Sequence, residues 1–395
     1  MDLSYSAEDE AFRTELRSWL AENLPEEWRT PGFWATSDRQ ENFELRRAWE
    51  RDKALAGFAG IQWPKEYGGR GGTAAQRAIY DEEMARHHAP TTVNPLGLTF
   101  LAPTVMAIGT EQQKRDIVKP LLHNEVIWCQ GFSEPDAGSD LANIRTSAVL
   151  DGDEWVVNGQ KIWTTNAAHG DWIFALVRTS QEEKKHRGIT MMLIDMKSEG
   201  VEARPLKQMS GASEFGEVFF TDVRVPKDSH LGDVGDGWNV AMLLLSFERG
   251  ASALGQYTEF RSELDNFGGL TKVLSKDGVP AAQDRGVRRK LARHLVELEC
   301  LRLHSLHILT QVEKGRDLGF EASMTKLQWS ETSQQMQESF VDILGVDFQV
   351  PDPAPGIDLR FEQAMALWSR SVTIWGGSSQ VQRNIVAERV LGLPR

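Results

Sequence analysis

The stretch WVVNGQKIWTTN, residues 155–166, interrupts a chain whose sequence otherwise follows a helical period over much of its length. Aromatic and β-branched residues stand on both sides of Asn158-Gly159, and this pair between strand-like runs predicts a hairpin turn. Further strand-like runs follow at residues 172–177, 190–194 and 217–220. Short strands separated by turns predict a small barrel or sandwich in the middle of the chain.

Helical patterns lie on both sides of this β region. Ser6 begins a segment with the form of a capping box, and apolar residues then recur at helical spacing. Further helices are predicted at residues 73–86, 111–122, 287–311, 321–344 and 360–375, and another is predicted to begin near Trp238. Residues 266–283 and 350–357 are interpreted as connections. We therefore predict a mainly α protein with a central β-domain, divided into a helical domain at 1–125, a β-domain at 126–235 and a second helical region at 236–395.

Length and composition restrict the class of protein. A chain of 395 residues exceeds the size at which one core usually stops growing, so two or three domains are expected. The net charge of −13 disfavours a nucleic-acid partner. Cys129 and Cys300 form no metal-type spacing and no disulfide framework, so we expect no metal and a cytoplasmic location. The start of the chain lacks the features of a secretory signal, and no apolar run reaches the about 18 residues of a membrane span.

Two neighbouring segments are candidates for ligand binding. The turn QGFSEPDAGSD at residues 130–140 concentrates N–H groups and hydroxyls that can bind a phosphate or the polar edge of a ring, although a plain surface turn has the same composition. In the strand that follows, Trp163 and Thr165 are expected on one face. An aromatic face beside a hydroxyl suits a planar heteroaromatic ligand, and the alternative is a core Trp next to a Thr.

Two later segments carry a candidate base and a candidate carbonyl site. Glu248 shares a predicted helical face with apolar or small residues, namely Trp238, Ala241, Leu245 and Ser252. Such burial raises the pKa of a carboxyl and makes it a stronger base when ionised, although Arg249 or a surface position would offset the effect. The turn GGSS at residues 376–379 opens a helix whose N–H groups can bind an anion or a carbonyl, while Ser378 or Ser379 can also serve as the N-cap.

These four segments, in this order, resemble the acyl-CoA dehydrogenase family over essentially the whole chain. The sequence FSEPDAGSD at 132–140 is similar to the first family signature, and QVQRNIVAER at 380–389 is similar to the second. The resemblance implies a helical N-terminal domain, a β-domain and a C-terminal four-helix bundle, with FAD held between the last two. It also implies an acyl-CoA substrate, electron-transfer flavoprotein as the acceptor, and a homo- or heteromeric tetramer or dimer.

The resemblance also implies roles for individual residues. Ser133 would donate to the pyrimidine edge of the flavin, and Thr165 would reach the nitrogen that receives hydride. The predicted cofactor contacts are Gln130, Phe132, Ser133, Ser139, Trp163, Thr164, Thr165, Ser378 and Gln380. Ser139 would also lie towards the CoA chain, Arg249 would contact the substrate, and the Gly376 N–H would donate to the thioester carbonyl.

Members of the family differ in the position of the catalytic base. Most members carry Glu directly before the Gly of the C-terminal turn, where this chain has Gly376, which cannot act as a base. The other known position is on the first helix of the C-terminal domain, immediately before an Arg. Glu248 occupies that position, and we therefore predict that it removes the α-proton while the β-hydrogen leaves as hydride to the flavin.

Two motifs that normally bind the FAD of a neighbouring subunit are incomplete. Leu264 stands where the family has the Arg of Arg-x-x-Phe-Gly, and the sequence ILGVD at 343–347 has one Gly in place of a Gly-Gly pair. One hypothesis is a heteromeric dehydrogenase, as in actinobacterial members that shorten steroid side chains. Two alternatives are a non-catalytic partner subunit and a flavin oxidase. The acidic charge disfavours a DNA-associated flavoprotein.

Overall fold

The computed structural model describes residues 5–29, 33, 39–247, 253–276, 278–316, 321–353 and 355–394, with the backbone alone at 39–41, 253, 275 and 276. Contacts divide the chain into two compact units. The helical unit comprises the described residues within 1–42, 72–90 and 250–395. The sheet unit comprises those within 43–71 and 91–249.

The order of elements is helical, then β, then helical, as the sequence predicts. In chain order the helices are α1 Ala7–Asn23, α2 Arg39–Leu55, α3 Ala74–Arg86, α4 Ala102–Ile108, α5 Glu111–Gln113, α6 Lys119–Leu122, α7 Gly237–Ser246, α8 Ala253–Val273, α9 Arg285–Glu313, α10 Glu321–Leu344, α11 Arg360–Val372 and α12 Ser379–Ile385. The strands are β1 Trp128–Gly131, β2 Ser147–Asp151, β3 Glu154–Thr165, β4 Trp172–Arg178, β5 Ile189–Asp195, β6 Val201–Leu206, β7 Phe215–Pro226, β8 His230–Leu231, β9 Ser275–Lys276 and β10 Val279–Pro280. A mainly α protein with a central β-domain is thus confirmed.

The helical unit is built around the long helices α8 to α11. The predicted capping box at Ser6 is present at the start of α1, which packs on α3. The bundle core contains Phe260, Phe267 and Phe340, and the last two rings are stacked with centroids 3.8 Å apart. Full burial of each such side chain contributes about 1.5–3 kcal/mol, so packing rather than helix propensity dominates the stability of the bundle.

The sheet unit is an eight-stranded sheet with the order β6-β7-β3-β2-β4-β5-β8, and β1 pairs with β4 in parallel. Successive residues of β4 contribute to two separate cores: Phe174 and Leu176 pack into one, and Ile173 and Ala175 into the other. This strand is buried on both faces, which explains its continuous apolar sequence. Helix α7 covers one face through residues such as Leu244.

The predicted hairpin turn at Asn158-Gly159 is wrong. Both residues lie within the continuous strand β3, and the turn that precedes this strand contains Gly152 instead. A Cβ on Gly159 would come within 2.6 Å of the Thr146 Cα, and the register with β7 shifts at this point. The Gly therefore permits a close approach and a bulge, a use of Gly that short-range patterns do not distinguish from a turn.

Two further boundaries differ from the predictions. Residues 266–273 were expected in a connection but continue α8, because burial of Phe267 in the bundle core outweighs the helix-breaking pair Gly268-Gly269. The helix predicted at 360–375 ends at Val372. Helices α9 and α10 confirm the predictions for 287–311 and 321–344.

No helix in the described ranges combines the length and apolar character needed to cross a membrane.

Candidate functional site

The loop after β1 carries the first group of predicted cofactor contacts. Phe132 is buried, Gln130 and Ser133 are half-buried, and Ser139 is exposed. The Ser133 carbonyl accepts a hydrogen bond of 2.9 Å from the Ile162 N–H. This bond attaches the loop to β3 one residue before Trp163, so the two segments that were predicted separately are neighbours in the sheet unit.

A buried ion pair lies beneath this junction. The Lys161 Nζ donates to the Glu134 Oε1 at 2.7 Å and to the Phe132 carbonyl at 3.2 Å. The Glu134 carboxylate also accepts from the N–H groups of Arg145 and Thr146, at 2.6 and 3.0 Å. Burial lowers the pKa of Lys161 to about 8. Burial also acts to raise the pKa of Glu134, but the Lys161 charge and these hydrogen bonds outweigh it, so that this pKa lies below its ordinary value.

The strand β3 is irregular where it carries the second group of contacts. Trp163 has a left-handed φ of 60°, and the register with β7 shifts between Lys161 and Thr164. The regular alternation assumed for Trp163 and Thr165 is therefore interrupted. Trp163 is 58% exposed, whereas Thr164 is fully buried and Thr165 is half-buried. A positive φ at a bulky residue is costly, and such strain is concentrated at functional sites.

In the helical unit, the C-terminal turn is held by bonds to its carbonyls. The Val372 carbonyl accepts from the Lys326 Nζ at 2.6 Å, and the Gly376 carbonyl accepts from the Gln382 Nε2 at 2.9 Å. Gly376 and Gly377 have left-handed φ values of 64° and 86°, a conformation that favours Gly. Among the described residues, none accepts a hydrogen bond from the Gly376 N–H, which leaves this group available to a ligand carbonyl.

Aromatic rings surround the lysine that supports this turn. The Lys326 Nζ lies 5.4 Å from the ring centroid of Trp329 and 5.3 Å from that of Trp375. The ammonium is thus placed next to two π faces and at the C-terminal end of α11, where the helix dipole favours a cation. These contacts hold the residues immediately before Gly376.

A polar groove of about 470 Å³ lies beside the same turn. Its lining residues are Glu331, Gln334, Gln335, Glu338, Thr373, Ile374, Ser379, Gln380 and Arg383. Ser378 is the N-cap of α12, since its hydroxyl accepts from the Val381 N–H at 3.3 Å. In the described part of the chain, the buried Ser379 Oγ and Gln382 Oε1 have no hydrogen-bond partner.

A second group of ionisable side chains lies on α8, where sequence analysis identified none. Burial raises the pKa of Glu259 to about 7 and that of Glu263 to about 8, and the mutual repulsion of the two carboxylates adds to the shift of Glu263. By accessible surface, Glu259 is exposed and Glu263 is half-buried, so Glu263 is the member of the pair that stands closer to the bundle interior. Glu263 accepts from the Gln337 Nε2 at 2.8 Å, and Asn266 donates to the Glu362 Oε1 at 3.0 Å.

The predicted residues fall into two groups, one in each unit. Those placed in the sheet unit are Gln130, Phe132, Ser133, Ser139, Trp163, Thr164 and Thr165, and those placed in the helical unit are Gly376, Ser378 and Gln380. The predicted base Glu248, its neighbour Arg249 and Ser252 lie outside the described residues. Helix α7 begins at Gly237, next to the predicted start at Trp238.

The residues that support these groups were not predicted from the sequence. Lys161 and Glu134 lie inside quoted motifs, and a charged residue within an apolar strand pattern was the available signal for Lys161. Lys326 and Gln382 gave no comparable signal, because their contacts depend on residues far along the chain or on the geometry of a turn.

Models of three domains of one protein family match nearly the whole chain. It matches the acyl-CoA dehydrogenase N-terminal domain at residues 6–125, the middle domain at 129–223 and the C-terminal domain at 235–391. The chain therefore belongs to the acyl-CoA dehydrogenase family and is an oxidoreductase.

Within the family, the chain is similar over nearly its whole length to several individual acyl-CoA dehydrogenases. The chain is 42% identical to acyl-CoA dehydrogenase IpdE1 of Mycobacterium tuberculosis, with 98% of each chain covered. It is 33% identical to acyl-CoA dehydrogenase FadE26 of the same species, with 100% of this chain and 99% of that one covered.

Solved structures show the same fold. The Tcur3481-Tcur3483 steroid ACAD is 30% identical, with a TM-score of 0.85 and 100% of each chain covered. The ChsE4-ChsE5 complex from Mycobacterium tuberculosis is 31% identical, with a TM-score of 0.84 and 100% of each chain covered.

Proposed function

We propose that this chain is an FAD-dependent acyl-CoA dehydrogenase of the steroid type, which converts a CoA thioester to its trans-2-enoyl form. The single observation that carries the proposal is the bulged, left-handed backbone at Trp163, which leaves the indole 58% exposed beside the hydrogen bond from Ile162 to Ser133. The likeness to a steroid ACAD supports the choice of substrate class.

The residues present fit FAD by the chemistry of their donors. In the sheet unit, Ser133 and Thr165 supply hydroxyls in the two segments next to the exposed indole, which suits the polar edge and the face of a flavin. In the helical unit, the groove beside Ser378 and Gln380 is lined by Ser379, whose hydroxyl has no hydrogen-bond partner within the described ranges, which suits the adenosine part. When bound, FAD would accept the β-hydrogen as hydride.

The protein's own contribution to the chemistry is proton removal and polarisation of the thioester. The N–H of Gly376, which has no acceptor among the described residues, would donate to the thioester carbonyl. One such preorganised donor is worth about 3 kcal/mol of barrier. Glu248 would remove the α-proton, with Arg249 next to the substrate. This assignment depends on the sequence resemblance, since both residues lie outside the described ranges.

The substitution Glu248→Gln tests the assignment of the base. We expect the variant to retain bound FAD but to lose about 10²–10⁴-fold in the rate of flavin reduction by substrate, because a positioned base contributes about that much. Anaerobic stopped-flow absorbance at the flavin band measures the rate. Glu22→Gln on the exposed surface of α1 is the matched control and should reduce at the wild-type rate. A Glu248→Gln variant that also reduces at that rate would show that another group is the base.

The incomplete cross-subunit motifs support a heteromeric assembly. Leu264 and Phe267 are buried in the bundle core, and Phe267 is stacked on Phe340. Leu264 thus packs inside its own chain and offers no charged group to a neighbouring cofactor. We propose a related chain as the partner. Isolation of this chain alone as a stable tetramer with one FAD per chain would contradict the heteromer.

A non-catalytic partner subunit is the second candidate function, and Gly376 at the usual position of the base favours it. A preparation that contains no FAD and cannot be reconstituted would support this candidate.

If the chain is catalytic, a panel of steroid-derived and straight-chain acyl-CoAs with an artificial electron acceptor will identify the substrate class. Peroxide release under air would indicate the oxidase. Electron-transfer flavoprotein as the acceptor, the cytoplasmic location and the three domain boundaries stay predictions.

A further inference from the structure

Lys161 is an unusual residue for the interior of a sheet. It is fully buried, and it is among the largest side chains that the protein removes completely from water. An ammonium in such a position is unfavourable unless it is paired and hydrogen-bonded. The bonds of Lys161 to Glu134 and to the Phe132 carbonyl meet this requirement.

The partner carboxylate is equally well satisfied. One oxygen of Glu134 accepts from Lys161 and from the Thr146 N–H, and the other accepts from the Arg145 N–H. The network therefore joins three separate segments of the sheet unit: the loop after β1, the residues before β2, and β3. Each polar atom of the pair has a partner, which makes the network rigid.

The two ends of this network stand next to the proposed flavin contacts. Phe132 and Ser133 directly precede Glu134, and Trp163 follows Lys161 by two residues. The bond from Ile162 to Ser133 adds a second link at the same place. Together they hold the strained backbone of Trp163 against the loop, and strain of this kind persists only where the surroundings determine it.

We propose that Lys161 and Glu134 are positioning residues of the flavin site, which set the spacing between Ser133 on the loop and Thr165 on the strand. Neither residue needs to touch the cofactor, since its effect is transmitted through the backbone on either side. The inference rests on the proposed function, because it assumes that these two segments bind FAD.

The test compares a single and a double substitution in the purified chain, in the assembly that it forms. Lys161→Met leaves a buried carboxylate without its cation. Lys161→Met/Glu134→Gln removes both charges and keeps one acceptor oxygen for the N–H groups of Arg145 and Thr146, which bond to separate oxygens of Glu134 in the wild type. Lys197→Met at the exposed pair with Asp171 is the matched control. The readouts are the melting temperature, the FAD dissociation constant from fluorescence titration of the apoprotein, and the absorption spectrum of the bound flavin.

We expect the double variant to melt close to the wild type but to bind FAD about tenfold more weakly, with an altered flavin spectrum, because its two segments are no longer fixed. The control should match the wild type in all three readouts. A folded double variant with wild-type affinity and spectrum would overturn the positioning role and leave the proposed function intact. A wild-type chain that binds no FAD under any condition would overturn the proposed function itself.

If the double variant does not fold, Glu134→Asp decides the question. It keeps both charges of the pair but shortens the side chain by one methylene, so the carboxylate no longer reaches Lys161 and the N–H groups of Arg145 and Thr146 in the same geometry. Weaker FAD binding with an altered spectrum supports the inference, and unchanged binding rejects it.

Discussion

Two clusters of ionisable groups with shifted pKa values, one in each unit, respond to desolvation in opposite ways. In the sheet unit, Lys161 and Glu134 carry opposite charges, and each satisfies the other. In the helical unit, Glu259 and Glu263 are acids four residues apart on α8, and burial raises the pKa of both. The first cluster compensates desolvation by pairing, whereas the second compensates it by retaining protons.

The difference also appears in the hydrogen bonds. Both oxygens of Glu134 accept bonds from described residues. Around the acids of α8, the buried Gln337 Oε1 and Glu362 Oε2 have no partner within the described residues. A fully bonded pair is expected to fix a geometry, and a partly bonded acid cluster is expected to make stability depend on pH.

The largest predicted effect comes from breaking the opposite-charge pair. Glu134→Gln leaves the Lys161 ammonium buried without a counter-charge, and we expect a loss of about 3 kcal/mol in the free energy of unfolding. Urea denaturation followed by circular dichroism measures the shift in midpoint. Glu202→Gln, at the exposed pair with Arg204 in β6, serves as the control. A loss below about 1 kcal/mol would mean that the pair is not the main constraint in this region.

A smaller effect is expected for the acids of α8. The folded state keeps protons on Glu259 and Glu263 up to pH of about 7 and about 8, whereas the unfolded chain releases them near the ordinary pKa of 4.5. The folded state thus binds more protons in this window, and the free energy of unfolding falls as pH rises through it. The negative charge of Asp81 also raises the pKa of Glu259, and that of Glu362 also raises the pKa of Glu263.

Glu263→Gln is the variant that tests this pH dependence. We expect a flatter pH profile and a gain of about 1–2 kcal/mol at pH 8, since one pKa unit corresponds to about 1.4 kcal/mol and partial exposure screens the effect. Urea midpoints from pH 5 to pH 8 provide the measurement, and Glu22→Gln serves as the exposed control. An unchanged slope would mean that these carboxyls ionise normally in the folded protein.

The smallest effect is expected at an exposed ion pair. Arg224 lies 2.8 Å from Asp151, and both side chains are more than half exposed. Arg224→Ala should change the free energy of unfolding by at most about 0.5 kcal/mol, and added salt should reduce even this change. A loss comparable with that of Glu134→Gln in the same urea assay would show that burial does not explain the contrast between the clusters.

Prediction from the sequence succeeded where the causes of the structure are local. The capping box at Ser6 involves residues three apart, and α10 follows from apolar residues at helical spacing. It failed at Asn158-Gly159, because the close approach of Thr146 decides that Gly159 forms a bulge and not a turn. It also failed after Asn266, where burial of a single Phe continues the helix across two Gly residues.

In the candidate site, too, features with local causes were predicted and features that depend on distant residues were not. Ser133, Trp163 and Gly376 were predicted from motifs whose residues are close in sequence, and these motifs also identify the family. The residues that support them were not predicted, since Lys161 and Glu134 meet across 27 positions and Lys326 and Val372 across 46.

By itself, the amino-acid sequence determined the family, the order of helices and strands, and the segments proposed to hold the cofactor, because each depends on residues within a few turns or a single strand. The tertiary structure alone decided which charges are paired, which acids keep their protons and where β3 is bulged. Those outcomes depend on desolvation and close contact between distant segments, and neither quantity exists until the chain has folded.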